Sequence, residues 1–174
     1  MTFSLYDATV PVFIQLLESQ RQLADRAEAH CKEQGLSADE ILNARIIDDM
    51  EPYSFQIKAV AMQSIGGIEA VRKGSFSPDP APYPDSFNAV REKLDSSISA
   101  LKEVSAEEVN GFLGQPMQFK LKEMVIPFTA EGFLMSFSMP NFHFHTTTAF
   151  DILRAQGLDI GKVNYLGQMQ IAAG

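Results

Sequence analysis

Hydrophobic residues recur every three or four positions in the first part of the chain, from about Tyr6 to Gln34. The apolar set comprises Val10, Phe13, Ile14, Leu17, Ala24 and Ala27. This spacing places the set on one face of an amphipathic helix. Pro11 suits a helix only in the first turn or at a kink, so we expect regular helix to begin near Thr9. Gly35 is expected to end the helix as its C-cap.

The next region predicts two more helices. Ser37 and Glu40 have the spacing of a capping box, which indicates a short helix. A long helical pattern follows over residues 46–74, and its predicted buried stripe consists of Phe55, Ala59, Met62 and Ile65. Gly66 and Gly67 lie inside this helix, where each costs about 1 kcal/mol relative to alanine. They therefore indicate a close contact with another helix, or a kink.

Two later segments do not show the helical spacing of hydrophobic residues. The prolines of residues 75–86 (SFSPDPAPYPDS) exclude a helix and predict a surface crossover. A third long helix is predicted from about Ser86 to Val104, with an apolar face of Phe87, Val90, Leu94, Ile98 and Leu101. In residues 116–129 (PMQFKLKEMVIPFT), apolar and polar side chains alternate. Alternation of this kind predicts a strand or a short hairpin.

A fourth helix is predicted from a cap at Thr129 to Gly157, and Pro140 should kink or break it. The tail, residues 158–174, is expected to be an extended segment folded back over the helices, with a frayed end. Four long amphipathic helices predict an all-α four-helix bundle with a proline-rich crossover and a short β-hairpin before the last helix. The length suits a single domain over residues 1–174.

Composition narrows the class of partner. The formal net charge of −8 argues against nucleic acid as a partner, because binding phosphates needs clustered lysine and arginine. The single cysteine, Cys31, excludes an internal disulfide and is typical of a reducing compartment. The N-terminal residues lack the features of a signal peptide, and no apolar run is long enough to span a membrane. We therefore expect a cytoplasmic protein without a membrane partner.

The segment PNFHFHTTTAFDILR, residues 140–154, contains two of the three histidines of the chain. Residues two apart on a helix point about 200° away from each other, so His143 and His145 are not a natural pair of metal ligands. His145 falls in an apolar row with Phe142, Ala149, Ile152 and Leu153, which should face the other helices. His143 falls on a more mixed face and is expected at the surface or at an interface.

His145 is the candidate for chemistry, and the sequence leaves its role open. It is a core histidine with a satisfied hydrogen bond, or it is a metal ligand or an acid–base group lining the bundle. Asp49, Gln56 and Asn141 are the candidate binding residues around it. A metal needs three or four protein ligands, and Asp49 with His145 does not complete such a set. A divalent metal is therefore possible with an incomplete set of ligands.

Three motifs carry a family resemblance over nearly the whole chain. They are V-P-x-F at Val10, Pro11 and Phe13; DDM-x-P ahead of F-Q, from Asp48 to Gln56; and P-N-F-x-F-H-x-x-T-A-x-D-I-L-R from Pro140 to Arg154. With them the chain resembles an uncharacterised domain family of small helical-bundle proteins. That family is similar to the wider DinB/YfiT-like superfamily of metalloenzyme-like proteins.

The wider superfamily implies a four-helix bundle that is often dimeric. It also implies a divalent metal held by one histidine of the second helix and two histidines of an H-x-x-x-H motif in the fourth. Some metal-bearing members are thiol-dependent transferases or isomerases. In this chain the second helix has no histidine. If His145 holds the first histidine position of the motif, Ala149 stands at the second; if His145 holds the second, Asn141 stands at the first.

Two functional hypotheses follow. In the first, the protein is a metal-free DinB-like bundle that binds a small molecule or acts in protein interactions. It would then be a homodimer through exposed faces of its first and fourth helices. In the second, it is a metal-dependent or acid–base enzyme with a degenerate site centred on His145.

Overall fold

The computed structural model describes residues 3–171, and these are mostly helical with a small three-stranded sheet. The helices are α1 Leu5–Gln34, α2 Ala38–Leu42, α3 Tyr53–Gln63, α4 Ile65–Lys73, α5 Phe87–Lys102, α6 Ala106–Asn110, α7 Ala130–Phe133, α8 Met139–Ala155 and α9 Lys162–Leu166, with a π turn at Leu134–Ser138 between α7 and α8. The strands are β1 Ser75–Phe76, β2 Pro116–Leu121 and β3 Met124–Thr129. The predicted frayed end, residues 172–174, lies outside the described part.

Helix α1 begins earlier than the sequence predicts. Ser4 is its N-cap, where the Ser4 hydroxyl accepts from Asp7 N at 3.3 Å and the Asp7 carboxylate accepts from Ser4 N at 3.0 Å. This capping box supplies partners for free N–H groups of the first turn, so the helix starts well before Thr9. Pro11 lies inside the continuous helix. The expected C-cap is confirmed, because Gly35 takes the left-handed conformation at φ 69°.

The helix predicted over residues 46–74 begins later than expected, at Tyr53, and is interrupted at Ser64. Pro52 is the N-cap residue of α3, and Asp48 and Asp49 lie in the exposed turn before it. The helix ends at Ser64, whose backbone at φ −93° and ψ −95° separates α3 from α4. The Ser64 hydroxyl donates back to Val60 O at 2.8 Å. Such a bond competes with regular helix and commonly accompanies a bend.

The predicted buried stripe of α3 is only partly correct. Ala59 is fully buried, but Phe55, Met62 and Ile65 are only half-buried. Helix α3 packs against both α5 and α8, so it is covered on most sides. A helix that is buried nearly all round has no single stripe for the sequence pattern to reveal. The fully buried apolar residues of α3 are Tyr53, Ile57, Ala59 and Val60.

Pro140 neither breaks nor ends the fourth helical segment, which runs without interruption through α7, the π turn and α8. The segment begins at the predicted cap, where the Thr129 hydroxyl accepts from Gly132 N at 3.1 Å. The π turn immediately precedes Pro140, and there Met139 N bonds to Leu134 O, five residues back. A turn that widens the hydrogen-bond ring accommodates a proline that has no N–H to donate.

The predicted hairpin is confirmed as β2 and β3, which pair antiparallel around a turn in which Lys122 has φ 53°. The sheet has a third strand that the sequence did not predict, because β1 is two residues long and pairs parallel with β2. Phe76 of β1 stacks on Phe119 of β2, with ring centroids 6.0 Å apart, and Phe76 also lies 5.3 Å from Phe133 of α7. These rings attach the sheet to the fourth helical segment.

Helix α1 packs against α5 and α8, and α3 packs against the same two helices. Of the predicted all-α four-helix bundle, the mostly helical fold is confirmed, and the sheet is larger than the expected hairpin. The tail folds back over the helices as predicted, but it is not extended throughout, because α9 forms there and packs on α1. In that contact Gln15 Nε2 donates to Leu166 O at 2.8 Å, and the Ser19 hydroxyl donates to Asn164 O at 2.7 Å.

Within residues 3–171, no helix combines the length and the apolar character that crossing a membrane requires. The longest, α1, carries charged side chains along its exposed side. Three arginine or lysine residues on α1 and α5 make ion pairs across these two helices: Arg21 with Asp95, Arg91 with Glu28 and Lys102 with Glu18.

Candidate functional site

His145 on α8 faces Gln56 on α3, and their contact is the centre of the candidate site. His145 Nδ1 lies 2.7 Å from Gln56 Oε1, and Gln56 Nε2 donates to Glu51 O at 2.9 Å. The bond to Glu51 sets the orientation of the amide, so Oε1 is the atom directed at the histidine. A carbonyl oxygen only accepts, and Nδ1 must therefore carry the proton. The lone pair of the neutral ring is then on Nε2, for which no partner occurs among the residues described.

Aromatic rings surround the histidine. Phe144 and Phe55 lie edge-to-face against it, with ring centroids at 5.2 Å and 5.8 Å. Tyr83 of the crossover packs edge-to-face on Phe55 at 5.4 Å, and its hydroxyl donates to the Glu51 carboxylate at 3.3 Å. Phe144 is 62% exposed and Tyr83 41% exposed, so this surface is open to solvent. We call His145, Gln56, Phe55, Phe144 and Tyr83 the His145 site.

Burial lowers the pKa of His145 from 6.5 to about 4. The cause is desolvation, which disfavours the charged imidazolium in an apolar environment. The ring is consequently neutral near pH 7 and offers a hydrogen-bond acceptor rather than a positive charge. A group with this pKa is also a weak base, because general bases work best when their pKa lies near the operating pH.

This burial predicts a pH dependence of stability. The folded-state pKa of His145 is below its unfolded value, so the unfolded state binds the proton more readily. The contribution of the neutral histidine is therefore fully present above about pH 6.5 and is lost as the pH falls toward 4. We expect His145→Asn, which cannot titrate, to flatten the fall in the free energy of unfolding between pH 6.5 and 5. Urea unfolding at several pH values measures this.

His143→Asn is the matched control for that experiment. Burial also lowers the pKa of His143, but this side chain is exposed. An equal flattening in both variants, or none in His145→Asn, would contradict the assignment of the pH dependence to His145.

The structure brings together only some of the candidate binding residues. Gln56 and His145 are in direct contact, as described above. Asn141 lies one turn before His145, but its side-chain amide donates to Phe137 O at 2.7 Å. Asp49 is exposed in the turn before α3 and has no hydrogen bond to His145. His143 is exposed, as the helical spacing predicted.

Sequence reasoning did not assign the aromatic walls to the site. Phe55 was expected in the buried stripe, and Phe144 was noted only as part of the motif from Pro140 to Arg154. Tyr83 lies in the crossover, more than 60 residues before His145, and only tertiary contacts bring it close. The single local signal was the motif from Asp48 to Gln56, which comprises the aspartate-rich turn before α3 and the F-Q pair in its first turn.

The residues present do not fit the metal implied by the wider superfamily. Within residues 3–171, no group of three histidine, cysteine, aspartate or glutamate side chains is placed to hold a metal ion. Gln56 Oε1 occupies Nδ1 of His145, and the Asn141 amide is bonded to the backbone. Ala149 is fully buried and has no donor atom. We derive no metal-dependent step from this site.

Comparison with known proteins agrees with the fold. No curated protein matches the chain. Among solved structures, the chain is similar to a DinB family member protein from Shewanella denitrificans, with 25% sequence identity and a TM-score of 0.81. That similarity covers 98% of this chain and 96% of the other. Residues 5–166 match the family described as "Domain of unknown function (DUF1993)". The chain therefore belongs to the DUF1993 family and is DinB-like, which confirms the resemblance carried by its sequence motifs.

Proposed function

We propose that this protein is a DinB-type four-helix bundle that works without a metal and binds a small, largely apolar molecule at the His145 site. The ligand would donate a hydrogen bond from an O–H or N–H group to Nε2 of His145. Its apolar part would lie against Phe55, Phe144 and Tyr83.

The observation that carries this proposal is the pair of hydrogen bonds at Gln56. Gln56 is bonded at both ends, to Glu51 O and to His145 Nδ1, so it holds the ring in one tautomer and one orientation. Holding a ring nitrogen by such a bond determines what the other nitrogen can do. Nε2 is thereby preorganised as an acceptor, which saves a ligand the cost of ordering it.

The expected affinity is modest. One neutral hydrogen bond contributes about 0.5–1.5 kcal/mol, and an aromatic pair adds about 0.5–1.5 kcal/mol beyond the burial of its area. These contributions and the burial of one ring must together exceed the cost of immobilising the ligand. A Kd of 1 mM already needs about 4 kcal/mol, so a single-ring compound should bind with a Kd of about 1 mM or weaker. A physiological ligand of larger apolar area would bind more tightly at the same contacts.

The acid–base enzyme centred on His145 is the weaker alternative. Its best support is that the bond from Nδ1 to Gln56 fixes the tautomer and the orientation of the ring, because a general base is commonly held by such a bond. The pKa of about 4 opposes it, because a base so weak gains little driving force for proton abstraction near pH 7. Binding needs only the lone pair of the neutral ring, and a pKa of about 4 keeps the ring neutral near pH 7.

Phenol and anisole test the proposal, because they share a ring and differ in the hydroxyl donor. We expect phenol to bind more tightly than anisole, by about fivefold for one hydrogen bond. Titration followed by the ring nitrogen signals of His145 in NMR spectra measures both affinities. Phenol should shift the Nε2 signal at saturation, while the Nδ1 signal bonded to Gln56 changes little.

His145→Asn is the informative variant. Its amide can replace the Nδ1 donor to Gln56 and has no counterpart of Nε2, so the preference for phenol should disappear. His143→Asn, two residues away and exposed, should retain the preference. Equal affinities for phenol and anisole in the unaltered protein, or an unchanged preference in His145→Asn, would refute the proposed binding mode.

The homodimer through exposed faces of the first and fourth helices stays a prediction. Met135 of the π turn and Phe144 of α8 are apolar side chains exposed by 44% and 62% on the fourth helical segment. A second copy covering Phe144 would also close the His145 site from one side. Sedimentation equilibrium of the full chain decides the oligomeric state.

A further inference from the structure

A cleft of about 670 Å³ lies between α3, α4, the start of the crossover and α5. Its apolar wall is formed by Ala61, Met62, Ile65 and Phe76. Lys58, Lys73 and Lys93 also line it, and we call it the lysine cleft. Neither His145 nor Gln56 contributes to its lining. Its volume falls in the range of small-molecule sites, about 300–1,000 Å³.

Lys58 is an unusual member of this lining because it is 7% exposed. Its ammonium donates to Asp79 O at 2.6 Å and to Ala81 O, both in the crossover. No carboxylate of residues 3–171 lies within 4 Å of it. An ammonium has three donors, and buried charges are normally paired with an opposite charge. The two carbonyl groups satisfy part of its hydrogen bonding, and the Tyr83 ring, whose centroid lies 5.8 Å from Nζ, adds a cation–π contact. Neither supplies the negative charge that a carboxylate would.

Lys73 and Lys93 are exposed on the two helices that flank the cleft, α4 and α5. In the part of the chain that the structure describes, neither has a carboxylate within salt-bridge distance, whereas Lys102 of α5 pairs with Glu18. Glu69 and Asp79 also line the cleft, so three lysines face two carboxylates. The cleft is thus locally positive in a chain whose net charge is −8.

We propose that the lysine cleft binds a small organic anion, a carboxylate or a phosphate monoester with a short apolar body. The anionic group would lie among the lysines, where it would compensate the buried charge of Lys58. The apolar body would lie on Met62, Ile65 and Phe76. A positively charged cleft with an apolar wall concentrates and retains such amphipathic anions. The inference does not rest on the His145 site, because the two sites share no lining residue and meet only where Lys58 Nζ lies 5.8 Å from the centroid of the Tyr83 ring.

Three probes with a phenyl body test the proposal: benzoate, phenyl phosphate and neutral benzyl alcohol. Titration of the ¹⁵N-labelled full chain, followed by backbone amide shifts in NMR spectra, measures each affinity and locates each site. We expect saturable shifts in residues 61–66, 75–77 and 96–100. At least one anion should bind about fivefold more tightly than benzyl alcohol. The tighter of the two anions identifies the preferred anionic group.

The double variant Lys73→Gln/Lys93→Gln should weaken binding of that anion about fivefold and leave benzyl alcohol unchanged. Lys120→Gln/Lys162→Gln is the matched control, since it removes the same charge from exposed lysines outside the cleft. This control should bind the anion as the unaltered protein does. The proposal is overturned if neither anion is preferred over benzyl alcohol, if both double variants weaken binding equally, or if the shifts centre on amides around His145.

Discussion

Replacing Phe142 by alanine is expected to lower the free energy of unfolding by about 3–5 kcal/mol, the usual cost of removing a buried phenylalanine ring. Phe142 of α8 is fully buried and packs edge-to-face on Phe13 of α1, with ring centroids 4.8 Å apart. Both rings are completely covered, so truncation leaves a cavity at the contact between the two helices. Urea unfolding of the variant and of the unaltered protein measures the difference.

Phe144→Ala is the matched control, because it removes the same ring two residues away on the same helix. Phe144 is 62% exposed, so its truncation should change the stability by less than about 0.5 kcal/mol. Similar losses in the two variants would mean that α8 does not present Phe142 to the core. The outcome also tests the helical phase that places His145 opposite His143.

Gly67→Ala is expected to destabilise the protein, although alanine favours a helix by about 1 kcal/mol over glycine. A Cβ at Gly67 would lie 2.5 Å from the Ser138 hydroxyl oxygen. Ser138 is fully buried in the π turn, and its hydroxyl donates to Gln63 O. It cannot move without breaking that bond, and overpacking of this kind costs about 1–3 kcal/mol. The clash outweighs the propensity, so we expect a net loss of about 1–2 kcal/mol.

Gly66→Ala provides the control for this prediction. A Cβ at Gly66 would meet its nearest atom, Ala61 O, at 3.6 Å, which is an ordinary contact. This variant should therefore gain up to about 1 kcal/mol from helix propensity. Thermal or urea unfolding of both variants gives the comparison. If Gly67→Ala is as stable as Gly66→Ala, the close approach of α4 to the π turn is incorrect.

The double variant Gly67→Ala/Ser138→Ala separates the clash from other effects. Without the Ser138 hydroxyl, the nearest atom to the new Cβ is Ser138 Cβ at 3.5 Å, which is acceptable. The double variant should therefore lose less stability than the two single changes predict by addition. Such non-additivity is the signature of two residues in direct contact.

Local signals predicted the helices well because capping and periodicity act within a few residues. The capping boxes at Ser4 and Ser37, the caps at Ser86 and Thr129 and the left-handed Gly35 are all satisfied by neighbours in sequence. The hairpin was predictable for the same reason, since alternation of apolar and polar residues has a period of two. The sequence analysis named Ser37, Thr129 and Gly35 as caps. It gave Ser86 only as the approximate start of a helix, and it did not predict the box at Ser4.

The breaks and irregularities were only partly predictable from local signals. Gly66 and Gly67 indicated a close helix contact or a kink, and the close contact is found at Gly67. The sequence did not place the end of α3 at Ser64, and Pro140 does not break the helix that it was expected to break. In both places the backbone follows the packing of α4 against the π turn, where Gly67 and Ser138 meet. The pairing of β1 with β2 is likewise a contact between segments about 40 residues apart.

The candidate site, like the fold, was predictable from the sequence only in part. Helical phase alone indicated that His145 and His143 point in different directions, and it selected His145 for chemistry. The sequence also named Gln56 as a possible neighbour. It could not show that Gln56 fixes the tautomer of His145, because that depends on the bond from Gln56 to Glu51 O and on the packing of α3 against α8.

The sequence by itself determined the helical content, most helix ends, the hairpin and the family, because each depends on short-range periodicity, capping or a contiguous motif. Tertiary structure decided where α3 ends, how Pro140 is accommodated and which groups surround His145. It also brought Lys58, Lys73 and Lys93 to one cleft from α3, α4 and α5. The physical reason is that burial, desolvation and close approach arise between elements distant in sequence, and no local pattern encodes them.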